Sequence, residues 1–172
     1  DSGLSVDALG GEPGVLSARW AGPARDFNTA MRRVHEALLS GGHADRSARF
    51  VCVIALCRAD GAVTHYRGEV AGQIVWPPRG GNGFGYDPMF VPDGETRTFG
   101  EMPPEAKYAI SHRTRAFAAF KSECLDHITP QDQTPSAQGR DLPALAAAAA
   151  SLSTSVELAE FVRRLRRDHA KN

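Results

Sequence analysis

Four glycines within six residues constrain this chain more than any other feature, in the segment Gly80-Gly81-Asn82-Gly83-Phe84-Gly85-Tyr86-Asp87-Pro88. They let the backbone reach conformations closed to other residues and bring bare N–H groups close to a ligand. Phe84 and Tyr86 add two ring faces on which a purine base can stack. Asp87 followed by Pro88 places a carboxylate in a stiffened turn, where it can accept hydrogen bonds or orient a neighbour. Taken alone, the segment reads first as a Gly-rich hairpin loop with Phe84 and Tyr86 in the core.

Two other stretches reverse that preference. The chain opens Asp1-Ser2-Gly3-Leu4-Ser5-Val6-Asp7-Ala8-Leu9-Gly10-Gly11-Glu12-Pro13-Gly14-Val15-Leu16-Ser17-Ala18-Arg19-Trp20, and Glu105-Ala106-Lys107-Tyr108-Ala109-Ile110-Ser111-His112-Arg113 comes later. With the glycine loop, in this order, they resemble the inosine triphosphate pyrophosphatase family, house-cleaning enzymes for non-canonical purine nucleoside triphosphates. The resemblance runs from Asp1 to about residue 128. It implies an α/β fold, a long mixed β-sheet flanked by helices, with two lobes and a nucleotide cleft between them. The implied function is Mg²⁺-dependent hydrolysis of (deoxy)inosine and xanthosine triphosphates to the monophosphate and pyrophosphate, by a cytoplasmic homodimer.

The same resemblance assigns roles. Asp1 is the position of the metal-linked general base and metal ligand, and Ser2 would contact the phosphates through its backbone N–H or hydroxyl. Phe84, Gly85, Tyr86, Asp87, Lys107, His112 and Arg113 fall at substrate-binding positions. Family members carry, upstream of Asp-Ser-Gly-Leu, a Ser/Thr-x-Asn-x-x-Lys phosphate-binding motif and an acidic metal ligand, which nothing in this sequence matches. Residues 1–128 are therefore expected to form an N-terminally incomplete pyrophosphatase domain, and the alternative reading is a catalytically impaired nucleotide-binding remnant. An α-amine on Asp1, with a pKa of about 7.7–8.0, would disfavour a divalent metal beside it.

Elementary chemistry fits those roles. Hydrolysis at the α-phosphorus needs a metal to neutralise phosphate oxygens and a base to position water, and a carboxylate serves both needs. Deamination turns the purine 6-amino donor into a 6-oxo acceptor, so a pocket rich in donors such as Lys107, His112 and Arg113 selects inosine and xanthosine over adenosine. Phe84, with Tyr86 as a second candidate, would stack on the ring. Asp7 and Glu12 are reserve carboxylates, better read as a solvated turn residue and a loop charge before Pro13-Gly14.

Composition adds bounds. The chain has 172 residues, 42% of them hydrophobic, and 20 basic against 20 acidic residues, enough for a well-buried domain and too evenly charged for a protein that coats nucleic acid. Cys52, Cys57 and Cys124 lack Cys-x-x-Cys spacing, and two fall in an apolar run that reads as a buried strand, which suits a reducing cytosol. No apolar run reaches membrane-spanning length, and no secretory signal is visible.

Along the chain, Asp26 caps a predicted helix with Phe27, Met31, Val34 and Leu38 at helical spacing, ending at Gly41-Gly42. The apolar strand Arg49 to Cys57 turns at Asp60-Gly61 into Val63 to Val70, an antiparallel hairpin. Gln73 to Trp76 extends the sheet, Pro77-Pro78 stops it, and a short strand follows near Met89-Phe90-Val91. Pro103-Pro104 starts a second helix, with Lys107, Ser111 and Arg115 along one face and Ile110, Phe117, Phe120 and Cys124 on the buried side. Lys107 and His112 are five apart, so sharing a pocket requires a bend or a helix end near Ser111. Residues 129–143 read as a polar linker and 144–172 as an amphipathic helical tail, whose arginine pairs face water in the simplest reading and serve an interaction module in a third, weaker one.

Overall fold

The hairpin centred on Asp60-Gly61 is the spine of the fold. Strand β2 (Ser47–Cys57) pairs antiparallel with β3 (Val63–Ile74) over its whole length, from Ser47↔Gln73 to Cys57↔Val63. On the other side of β2 lies β1 (Ser2–Val6), with Ser2 opposite Cys52 and Val6 opposite Ala48. The short β4 (Phe90–Pro92) closes the far edge through Gly72↔Pro92 and Ile74↔Phe90. The order is β1-β2-β3-β4, and every pairing is antiparallel. The α/β class expected from the sequence holds, while the described part of the sheet is antiparallel rather than mixed.

The computed structural model describes residues 1–58 and 60–124, the side chain of Cys124 excepted. One compact unit comprises Asp1–Ala119, and a second begins at Phe120. The expected linker, 129–143, and tail, 144–172, lie outside the described residues.

Helix α1 (Ser17–Trp20) is one turn, and α2 (Phe27–Ser40) is the main covering helix. Its start is dictated locally: the Asp26 carboxylate accepts from the Asn28 N–H at 3.0 Å and from the Thr29 hydroxyl at 2.6 Å. Ala30, Met31, Val34 and Leu38 are its buried stripe, packed with Leu4, Val6, Phe50, Val70 and Ile74 from the sheet. Arg33 lies over the Trp20 ring at 4.2 Å.

The segment after Pro103 resolves the choice between a bend and a helix end in favour of a helix end. Helix α3 (Pro104–Ile110) ends at Ser111, whose extended ψ of 153° breaks the run, and α4 (His112–Cys124) starts at once. The Ser111 hydroxyl accepts the Thr114 N–H at 3.2 Å, capping the new helix. Burial differs too: Lys107 and Ser111, expected on a polar face, are 4% and 2% exposed, while Ile110, Phe117 and Phe120 are only half-buried. A Lys–Ser face can be buried only where its polar groups find partners, and here they do.

The strand expected to be apolar and buried throughout is buried only in its first half. Cys52 is in the core, whereas Cys57 is exposed near the hairpin tip. Gly68 on β3 explains how α4 reaches the sheet: a side chain there would run into the His112 carbonyl and the Ala116 backbone. That close approach puts the first turn of α4 directly over β3.

Candidate functional site

The glycine loop is built around one carboxylate. Asp87, 3% exposed, accepts the Phe84 N–H on Oδ2 at 2.7 Å and the Lys107 ammonium on the same oxygen. Its own carbonyl accepts the Gly100 N–H at 3.0 Å. The pair is buried on both sides, so each charge depends on the other for compensation. Asn82 ties the start of the loop down, donating its backbone N–H to Gly100 O at 2.9 Å and its side-chain amide to Met102 O at 3.1 Å. Gly83 has φ +78°, and a Cβ there would collide with Asp87 Oδ2 and lie 3.1 Å from Lys107 Nζ. Its lack of a side chain therefore leaves room for the ion pair as well as permitting the turn.

Held this way, Phe84 projects outward and is 60% exposed. Lys107 Nζ lies 5.2 Å from its ring centre and the Arg113 guanidinium carbon 4.7 Å, both within cation–π range. Next to Arg113, His112 is 1% exposed and stacks on Phe50 at 4.9 Å with ring planes 11° apart. Neither of its ring nitrogens has a hydrogen-bond partner. Burial, with Arg113 and Lys107 adding positive potential, pushes its pKa down to about 3, so the imidazole is neutral.

The break at Ser111 thus brings Lys107 and Arg113 to the Phe84 ring from two helices, with His112 stacked on Phe50 at the junction. Tyr86 and Gly85 do other work. Gly85 has φ +71° and carries the chain past Phe27, while Tyr86 is 2% exposed, meets Phe27 edge-on at 5.5 Å and donates its hydroxyl to the Ser17 carbonyl at 2.9 Å. The Tyr86 ring offers no free face, and of the two rings only Phe84 is exposed.

Asp1 and Ser2 lie elsewhere, at a cleft of about 280 Å³ lined by Asp1, Ser2, Gly3, Gly14, Val51 and Arg67 among others. None of Phe84, Lys107, His112 or Arg113 belongs to its lining. Asp1 is exposed, and its Oδ1 accepts the Ser2 N–H at 2.7 Å. Asp7 ion-pairs with Arg49 at 2.8 Å and Glu12 is exposed, so both have the surface character expected of them. Among the described residues, no group of three or more His, Cys, Asp or Glu could hold a metal ion, and no helix is long and apolar enough to cross a membrane.

The model of the Ham1 family matches residues 1–123. The chain belongs to the Ham1 family. A curated relative, the dITP/XTP pyrophosphatase of Zymomonas mobilis, is 53% identical over 126 residues, covering 73% of this chain and 60% of that protein. The dITP/XTP pyrophosphatase of Gluconobacter oxydans is 50% identical over 133 residues, 77% of this chain and 63% of the relative. Among solved structures, a HAM1 protein from Coxiella burnetii superposes with TM-score 0.67 at 42% identity, over 71% of this chain and 63% of that one. The nucleoside-triphosphatase / dITP/XTP pyrophosphatase of Mycobacterium abscessus gives 0.62 at 47% identity, over 70% and 63%. The chain thus spans somewhat under two thirds of the length of these Ham1 relatives.

All three stretches that carried the resemblance fall inside the Ham1 segment. Sequence reasoning missed three supporting residues. Ser111 as a cap was legible in its Ser-x-x-Thr spacing. Gly83 as clearance for an ion pair, and Ser17 as the acceptor for Tyr86, had no local signal.

Proposed function

We propose that this chain recognises the 6-oxo purine base in an enzyme that hydrolyses inosine, deoxyinosine and xanthosine triphosphates to the monophosphate and pyrophosphate. The observation that carries the reading is the exposed Phe84 ring flanked by Lys107 and Arg113. Curated Ham1 relatives at about half identity, named dITP/XTP pyrophosphatases, support it.

A purine would stack on Phe84, leaving its edge to the cations. Lysine has three donors, and Lys107 directs one at Asp87, so two remain for an acceptor. The guanidinium of Arg113 adds a planar array of donors. A 6-oxo group accepts from either, whereas a 6-amino group presents hydrogens to them and is rejected. His112, neutral, holds one donor and one acceptor buried and unpaired beside Arg113.

Asp1 is the residue that would hold Mg²⁺. The described residues supply one carboxylate there, which suits this ion when phosphate oxygens and water complete its shell. When bound, the metal would neutralise charge on the phosphate oxygens. Ser2, beside Asp1, would direct its hydroxyl at a phosphate, and the Asp1 carboxylate would orient the attacking water.

Pyrophosphate release from inosine triphosphate, measured with Mg²⁺ and again with chelator, tests the reading. Release that needs the metal and strongly favours inosine over adenosine triphosphate is expected. Equal turnover of the two nucleotides, or none of either, would overturn it.

A further inference from the structure

We infer that Tyr86 and Ser17 form a positioning link between the base platform and the strand that carries Asp1 and Ser2. The inference deepens the proposed function and rests on it for its kinetic consequence, though not for its structural one. The Tyr86 hydroxyl donates to the Ser17 carbonyl at 2.9 Å, across 69 residues of sequence. Ser17 in turn accepts the Leu4 N–H on Oγ at 2.9 Å and donates that hydroxyl to the Gly14 carbonyl at 2.7 Å. Gly3 packs against the same carbonyl so closely that a Cβ would overlap it. The chain of bonds therefore runs from the residue two after Phe84 to the residue two after Ser2.

Each part is anchored. Tyr86 is wedged edge-on against Phe27, and Ser17 is 6% exposed. Burial raises the Tyr86 hydroxyl above its ordinary range, so it stays a donor through neutral and alkaline pH. The Leu4 N–H has its partner in Ser17 rather than in another strand, so the edge of β1 is held by the residue that Tyr86 holds. A triphosphate bound at both ends would span base platform and Asp1, and misplacing one end by about 1 Å can cost on the order of 10²-fold in rate.

Tyr86→Phe removes the hydroxyl and keeps the ring. In amide hydrogen exchange on the whole chain, Leu4 should exchange about tenfold faster in this variant, the loss of one net hydrogen bond, with β2–β3 amides such as Val70 unchanged. Ser17→Ala should reciprocate at the Phe84 and Asp87 amides. Faster exchange confined to residues 84–89, or spread evenly over β2 and β3, would overturn the link, as would parent rates at Phe84 and Asp87 in Ser17→Ala. Kinetically, Tyr86→Phe should lower kcat for inosine triphosphate about tenfold with its preference over adenosine triphosphate intact; an unchanged kcat would contradict the positioning role. A parent protein that releases no pyrophosphate would sink the proposed function, while the exchange result would still decide the link.

Discussion

The glycine loop with the α3–α4 junction and the Asp1 end of β1 are two candidate sites built to different standards. In the first, the buried Asp87 carboxylate is held by the Phe84 N–H and the Lys107 ammonium, and the exposed ring is flanked by two cations. In the second, the exposed Asp1 carboxylate accepts the N–H of the next residue, in a cleft lined largely by apolar atoms and small residues. The difference teaches where preorganisation lies: around Asp87 the side chains themselves are fixed by burial and partners, whereas at Asp1 the backbone is fixed by pairing with β2 and the carboxylate stays exposed. His112 departs from that rule, since both of its ring nitrogens are buried without a hydrogen-bond partner.

The sharpest way to break the comparison is to remove one side of the buried pair. Lys107→Met should destabilise the protein by about 3–5 kcal/mol, because Asp87 would be left charged and alone. Asp87→Asn combined with Lys107→Met should recover much of that loss; urea unfolding of both variants checks it. If the single variant unfolds like the parent, the loop is not organised by this pair.

At the other site the effect should appear in rate and not in stability. Asp1→Asn should reduce pyrophosphate release on the order of 10²-fold with an unchanged unfolding midpoint. A change within a few-fold would remove Asp1 as base or metal partner.

Phe84→Ala should weaken nucleotide binding by about 1–3 kcal/mol, for inosine and adenosine nucleotides alike. Calorimetric titration distinguishes this from a loss restricted to one base. Because Phe84 is exposed, its stability should barely change.

His112 gives the smallest effect at neutral pH and shows itself only in acid. Its folded pKa lies below the ordinary value, so the unfolded chain binds the extra proton first as pH falls. The folded state keeps its full stability above about 6.5 and should lose about 1.4 kcal/mol per pH unit from there towards about 3. His112→Phe should flatten that slope in urea titrations between pH 6.5 and 4.5; parallel slopes would mean the imidazole is not held neutral.

Much of the candidate site's local structure was legible in the sequence because its signals are local. Glycine density marked the loop, and Asp26 and the α2 stripe marked the helix. Lys107 and His112, five apart, could share a pocket only through a bend or a helix end near Ser111, and a helix ends there. What was not legible depends on contacts distant in sequence. Tyr86 stood as a second candidate for stacking until its hydroxyl was found on Ser17, and Lys107, read as a donor on a polar helix face, proved to be buried against Asp87. The burial of a Lys–Ser helix face contradicts ordinary amphipathic patterning, and only the loop that crosses over it explains why. Cys57 shows the reverse error, since an apolar strand can run past the edge of its core.

The central claim is that Phe84, Lys107 and Arg113 recognise a 6-oxo purine without help from the phosphate end. Calorimetric titration of the protein with inosine and adenosine monophosphates, in chelator, tests that claim most directly because it removes the metal and most of the phosphate charge. Tighter binding of the inosine nucleotide, with the preference lost in Arg113→Ala, is the predicted result. Equal affinity for the two in the parent, or a preference that survives Arg113→Ala, would contradict the account.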